Sequence, residues 1–133
     1  MKTTYNKVMV VDDNKLDIYF TTKLILKNSL AENVLEFTSA EGAYDYLRDN
    51  QTEKSELPGI IFIDIYMPNL DGFEFIDKIR ELGENITENC RLCIVSSTVS
   101  DYDIHKAKIE KGIPLFSSKP ITSEFIERLA NLQ

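Results

Sequence analysis

Apolar residues fall along this chain in two rhythms. Five short runs are dense in them: Lys7-Val8-Met9-Val10-Val11, Asn33-Val34-Leu35-Glu36-Phe37, Ile60-Ile61-Phe62-Ile63, Arg91-Leu92-Cys93-Ile94-Val95 and Pro114-Leu115-Phe116-Ser117-Ser118. Runs of this length, bounded by polar or turn residues, predict strands of a buried parallel sheet. The stretches between them follow a helical period. Lys15 to about Leu30 carries Leu16, Phe20 and Leu24 at helical spacing, with Tyr19, Leu26 and Leu30 widening the stripe, and Asn14 is placed to cap it. Thr38 with Glu41 fits a capping box that opens a second helix, whose apolar face is Ala40, Tyr44 and Leu47. Asp71 with Glu74 opens a third, with Phe75, Ile76, Ile79 and Leu82 turned inward. A fourth runs from about Asp101 to Lys111 and closes at Gly112; it is mostly polar, leaving Ile104, Ala107, Lys108 and Ile109 for packing. The last runs from about Ser123 to Leu132 with Phe125, Ile126, Leu129 and Leu132 on one side. Asp49 to Glu56 and Gly83 to Asn89 read as loops.

The order is βαβαβαβαβα. Alternation at this spacing predicts an α/β fold: parallel strands, right-handed crossovers and helices on both faces of the sheet. Residues 1–133 are expected to form a single domain, without internal repeats or low-complexity tracts. The formal charge of −7 argues against a nucleic-acid surface, which needs clustered Lys and Arg. No apolar run reaches membrane-spanning length and no signal peptide opens the chain, so a cytoplasmic protein with no membrane contact is expected. Cys90 and Cys93 are spaced Cys-x-x-Cys, but Cys93 lies within a strand, and a zinc site would need two more ligands from a chain with one His and no other Cys. Both read as structural. His105, on the polar fourth helix, reads as a surface residue.

Parallel strands place all their carboxyl ends on one edge of the sheet, where ligands of open α/β folds collect. Here those ends carry Asp12 and Asp13, Asp64, Ser96 with Ser97, and Lys119. Taken singly, each has a plainer role: a helix cap, a turn residue, a surface cation. Together they are three acids, a hydroxyl and an amine at one rim. No glycine-rich phosphate loop accompanies them, so the chemistry must come from side chains. Clustered carboxylates repel, and a divalent cation relieves this; hard oxygen ligands partly supplied by water suit Mg²⁺. A carboxylate beside Mg²⁺ can act as a nucleophile toward phosphorus, with an ammonium group offsetting phosphoryl charge. The set suits phosphoryl transfer onto Asp64, with Asp12 and Asp13 holding the metal.

Val10-Val11-Asp12-Asp13-Asn14, Ile63-Asp64-Ile65-Tyr66-Met67-Pro68-Asn69-Leu70-Asp71-Gly72, Val95-Ser96-Ser97 and Ser118-Lys119-Pro120 together make the sequence resemble the response-regulator receiver domain. The match covers nearly the whole chain. The resemblance implies a flavodoxin-like, doubly wound five-stranded parallel sheet of order 2-1-3-4-5. It implies that Asp64 accepts a phosphoryl group from the phosphohistidine of a sensor histidine kinase or phosphotransfer protein. Asp13 would bind Mg²⁺ directly and Asp12 partly through water, with Asp64 and the backbone carbonyl of Tyr66 completing the protein ligands. Lys119 would contact the phosphoryl group, and Pro120 matches the family's cis proline. The switch hydroxyl is assigned to Ser96, because Val95-Ser96 matches the strand-end pair; counting back from Lys119 without a gap gives Ser97. Phe116 matches the family's aromatic switch, although it lacks the hydroxyl a tyrosine would bring.

On that reading phosphorylation draws Ser96 toward the phosphoryl oxygens, Phe116 turns inward, and the face of the fourth helix, fifth strand and fifth helix changes for a downstream protein target. Tyr66 and Thr98 occupy positions that control water access to the phosphoryl group in receivers. Two other readings compete. A phosphatase of the haloacid-dehalogenase type also uses a strand-end Asp with Mg²⁺, but it carries a second acid two residues later, where this chain has Tyr66. A receiver-like interaction module that is never phosphorylated would not need the full set of acids, hydroxyl and amine. A stand-alone receiver and a domain of a longer protein are both compatible with the sequence.

Overall fold

The computed structural model describes residues 3–97 and 100–132. Thr98, named above for water access, lies outside the described residues. The elements are β1 (Tyr5–Val11), α1 (Lys15–Lys27), β2 (Ala31–Phe37), α2 (Ala40–Asp49), a 3-10 turn (Lys54–Glu56), β3 (Ile60–Ile63), α3 (Gly72–Glu81), α4 (Glu84–Asn89), β4 (Arg91–Ser96), α5 (Asp101–His105) running into a π-helical turn (Lys106–Glu110), β5 (Leu115–Ser118) and α6 (Ser123–Ala130). The five strands form one parallel sheet in the order β2-β1-β3-β4-β5. The flavodoxin-like order expected from the resemblance is the observed one.

Period-two alternation sorts the strand residues between two cores. Met9, Val11, Ile61 and Ile63 face α2 and α3, with Phe75, Ile76 and Ile79 against them. Val8, Val10, Ile60 and Phe62 face α1 and α6, with Ile18, Ile25, Phe125 and Ile126 against them. All four β3 residues are buried, as a central strand covered on both faces requires.

Several local expectations are corrected. The stretch from Gly83 to Asn89 is not a loop: α4 forms there, begun by Gly83 at φ 109° and fixed by buried Ile86. One buried apolar residue in six gives no readable period. The α1 stripe is also different. Ile18 and Ile25 are the buried pair, while Leu16, Tyr19, Phe20 and Leu26 are exposed. The helix is apolar on two sides, and the sheet takes the side seven residues apart. The cap of α2 is Ser39, whose side chain accepts from the Gly42 amide, which places Glu41 one position too early for the expected box. The helix read as the fourth is α5; Asp103 and Ala107 are its buried residues, and Lys108 and Ile109 point to solvent. Leu132 lies beyond α6 and is exposed.

Candidate functional site

The β1 and β3 backbones deliver the acids. The Asp64 amide donates to the Val11 carbonyl (3.0 Å) and the Asp12 amide to Phe37 (3.1 Å), so the ends of β1, β2 and β3 are tied at one level. Asp12 is bent back into the rim: its carboxylate accepts from the Asn14 amide at 2.9 Å. Asn14 in turn accepts from the Leu16 and Asp17 amides and opens α1. On the far side of Asp64 the chain must turn sharply. Gly72 makes this possible: its amide donates to the Ile65 carbonyl (2.7 Å), and a Cβ there would collide with the Asp64 carbonyl oxygen. Asp71 then caps α3 with the capping box read from the sequence.

Carboxylate oxygens of Asp12, Asp13 and Asp64 all lie within 4.8 Å of one another. Asp12 and Asp64 are buried and Asp13 is exposed, so the cluster opens to solvent on one side. Three hard oxygen donors with an open side suit an octahedral cation that keeps several waters, which is the habit of Mg²⁺. Burial, then the neighbouring Asp12 charge, pushes the Asp64 pKa up to about 6, against the lowering pull of Lys119.

Lys119 enters from the end of β5. Its amide donates to the Ser96 carbonyl at 2.9 Å, and the Lys119–Pro120 peptide is cis. Its Nζ donates to Asp12 Oδ2 at 2.6 Å and Asp17 Oδ2 at 2.9 Å, and stands 3.5 Å from Asp64 Oδ1. Burial disfavours the ammonium charge, but the bonds to Asp12 and Asp17 and the charge of Asp64 outweigh it and raise its pKa.

Ser96 ends β4 fully buried, opposite Ser118 in the sheet, whereas Ser97 is exposed. Phe116 pairs with Ile94 on β5 and is half-buried against the α2–α3 core. The Tyr66 side chain leaves the rim and donates its hydroxyl to Asp103 on α5 at 2.7 Å. Cys90 and Cys93 are free and buried; burial alone pushes the Cys90 thiol up to about 12 and raises that of Cys93, so neither offers a thiolate at neutral pH.

The structure brings Asp12, Asp13 and Asp64 within 4.8 Å of one another, sets Lys119 against Asp12 and Asp64, and leaves Ser96 at the adjoining strand end. Sequence reasoning missed Asp17 and Asp103. Each sits in the first turn of a helix, where an acid normally faces solvent and favours the helix dipole.

The family model for the response regulator receiver domain matches residues 8–131. A two-component response regulator from Cytophaga hutchinsonii superposes with a TM-score of 0.87 at 27% identity, covering 98% of this chain and 96% of that one. A response regulator receiver protein from Dyadobacter fermentans gives a TM-score of 0.81 at 32% identity, covering 92% and 93%. Hybrid signal transduction histidine kinase L of Dictyostelium discoideum is 30% identical over 124 residues. That match takes in 92% of this chain and 7% of the kinase, so the chain spans only a small part of that relative's length. The helices and strands, the acidic rim and these matches agree: the chain belongs to the response regulator receiver domain family, and its place is in two-component signalling.

Proposed function

We infer that this domain takes a phosphoryl group onto Asp64 from the phosphohistidine of a sensor histidine kinase or phosphotransfer protein. The reading rests on the meeting of the Asp12, Asp13 and Asp64 carboxylates within 4.8 Å, with the Lys119 amine 3.5 Å from Asp64. Asp64, once ionised above its raised pKa, attacks phosphorus with a carboxylate oxygen. An oxygen–phosphorus bond forms as the nitrogen–phosphorus bond breaks, and the bonding pair returns to the donor imidazole. Asp12, Asp13, Asp64 and the Tyr66 carbonyl would hold Mg²⁺, which when bound would offset charge on the phosphoryl oxygens. Lys119 swings from Asp12 to a phosphoryl oxygen, and the buried Ser96 hydroxyl donates to another.

The domain catalyses only its own phosphorylation and dephosphorylation; it is not an enzyme with a separate substrate. It works in the cytoplasm. Its output is the face of α5, β5 and α6, where Phe116 follows Ser96 and a protein target reads the change. The phosphatase alternative would need an acid at position 66. Tyr66 has none, and its hydroxyl is engaged with Asp103.

Incubation with acetyl phosphate and Mg²⁺, followed by intact mass, tests the reading. A gain of one phosphoryl group is expected in the wild type and none in Asp64→Asn. An equal gain in both would overturn it, and sustained turnover of a phosphate monoester would favour the phosphatase.

A further inference from the structure

Helix α5 is moored in an unusual way. Its one buried residue between Asp101 and His105 is an acid, Asp103, which is 2% exposed. Tyr102 and, in the following turn, Ile109 point outward at 67% and 70% exposure. Apolar burial between Asp101 and His105 is limited to half-buried Ile104. What holds it is the hydroxyl of Tyr66, donating to Asp103 at 2.7 Å across 37 residues of sequence. A buried carboxylate is costly to leave without donors, so the helix is best placed when this bond is made. Lys106 adds a second tether, its ammonium 4.8 Å from the centre of the Phe73 ring at the head of α3. Both anchor points, Tyr66 and Phe73, belong to the segment that leaves Asp64. Tyr66 lies two residues past the nucleophile, and its backbone carbonyl belongs to the metal-binding set of the proposed function. The helix continues into a π turn, in which the Lys111 amide reaches back five residues to Lys106. Such turns interrupt regular packing and recur at functional sites.

We propose that the Tyr66–Asp103 hydrogen bond is the mechanical link between the Asp64 rim and α5, with Asp103 acting as a positioning residue through Tyr66. This rests on the reading of Asp64 as a phosphoacceptor. Occupation of the rim resets the Met67-side loop and with it the Tyr66 hydroxyl, and α5 follows because its buried acid has to keep its donor. Coupling of this kind is reciprocal: a protein that grips α5 changes the affinity of the rim for Mg²⁺ by the same factor.

Amide hydrogen exchange reads both ends at once. Peptides spanning residues 64–72 and 101–110 are followed with and without Mg²⁺ and beryllofluoride, in the wild type, Asp103→Ala, Asp103→Asn and Tyr66→Phe. In the wild type both segments should respond to the adduct. In Asp103→Ala the basal exchange of α5 should rise about tenfold and its response to the adduct should vanish, while the 64–72 segment still responds. Asp103→Asn keeps an acceptor oxygen and should restore the α5 response. If Asp103→Ala does not fold, Tyr66→Phe, which removes one hydroxyl from an exposed ring, carries the test with the same expected loss at α5. An α5 that responds to the adduct as strongly in Asp103→Ala or Tyr66→Phe as in the wild type overturns the link. If the wild-type 64–72 segment responds and α5 does not, the link alone falls. If neither segment of the wild type responds, the phosphoacceptor reading fails and takes the link with it.

Discussion

The carboxylate rim and helix α5 meet at one hydrogen bond, yet they are built on opposite principles. The rim stands on strand segments that lie wholly inside: Val8, Met9, Val11, Ile60, Ile61 and Ile63 are all at 0% exposure. Its acids cannot move apart without disturbing that packing. Their repulsion is therefore kept, and it is met by Lys119 and by whatever cation the open side admits. Helix α5, with its π turn, buries an acid and an alanine, half-buries Ile104 and leaves Tyr102 and Ile109 in solvent. It can shift at small cost. A fixed site beside a loosely held helix is the arrangement a signalling domain needs, since one part must recognise a charge and the other must report it.

The difference predicts unequal sensitivity to truncation. Ile61→Ala should cost about 4 kcal/mol, by lost burial and the cavity left in the core that β3 shares with α2 and α3. Ile109→Ala, at a solvent position, should stay within about 0.5 kcal/mol. Urea unfolding of both variants checks this. A similar loss for the two would mean that α5 is as firmly packed as the rim.

Asp64 tests the cost of burying a carboxylate beside Asp12. Its pKa is 3.8 as an ordinary carboxyl group and about 6 in the fold. The folded chain thus holds the proton over a pH window in which the unfolded chain has lost it. Stability contributed by that proton is present at low pH and is lost as pH rises from about 4 through about 6. Asp64→Asn escapes the loss. Without divalent cation it should be more stable than the wild type by up to about 3 kcal/mol near neutral pH and about equal to it near pH 3. Mg²⁺ should close the gap by stabilising the wild type, and less so below about pH 6, where protons compete for the same oxygen. Thermal denaturation across pH, with and without Mg²⁺, gives the comparison; a variant less stable than the wild type at neutral pH would mean that burial and the Asp12 charge do not penalise the ionised Asp64.

Lys119 is expected to matter for rate. Lys119→Ala should slow labelling by acetyl phosphate about 100-fold, the usual scale for one charge-stabilising donor at a reacting group. Time-resolved intact mass is the readout, and near-wild-type labelling would exclude the amine from the reaction. Asp17 shares the same ammonium from a half-exposed position. Its contribution to stability should be no more than about 1 kcal/mol. Asp17→Asn frees Lys119 from one competitor and removes a negative charge near an anionic donor, so labelling should become a few-fold faster, by the same assay.

Much of this was legible in the chain itself. The central strand and the rim could be read because they depend on short apolar runs ending in charged residues, a pattern fixed by backbone geometry. Asp12, Asp13, Asp64 and Lys119 were found from strand ends alone. What escaped the sequence depends on tertiary choice. The two apolar sides of α1 score alike until the sheet selects Ile18 and Ile25. The α4 turn rests on one buried isoleucine. Asp17 and Asp103 look like ordinary first-turn acids, and only the folded chain shows that one holds Lys119 and the other holds Tyr66.

Of four neighbouring carboxylates, Asp64 is the one proposed to carry the phosphoryl group. Phosphorylated wild-type protein, reduced with borohydride and digested, converts an acyl phosphate into a homoserine that peptide sequencing can place. The label is expected at Asp64 alone. A homoserine at position 12, 13 or 17 would contradict the account.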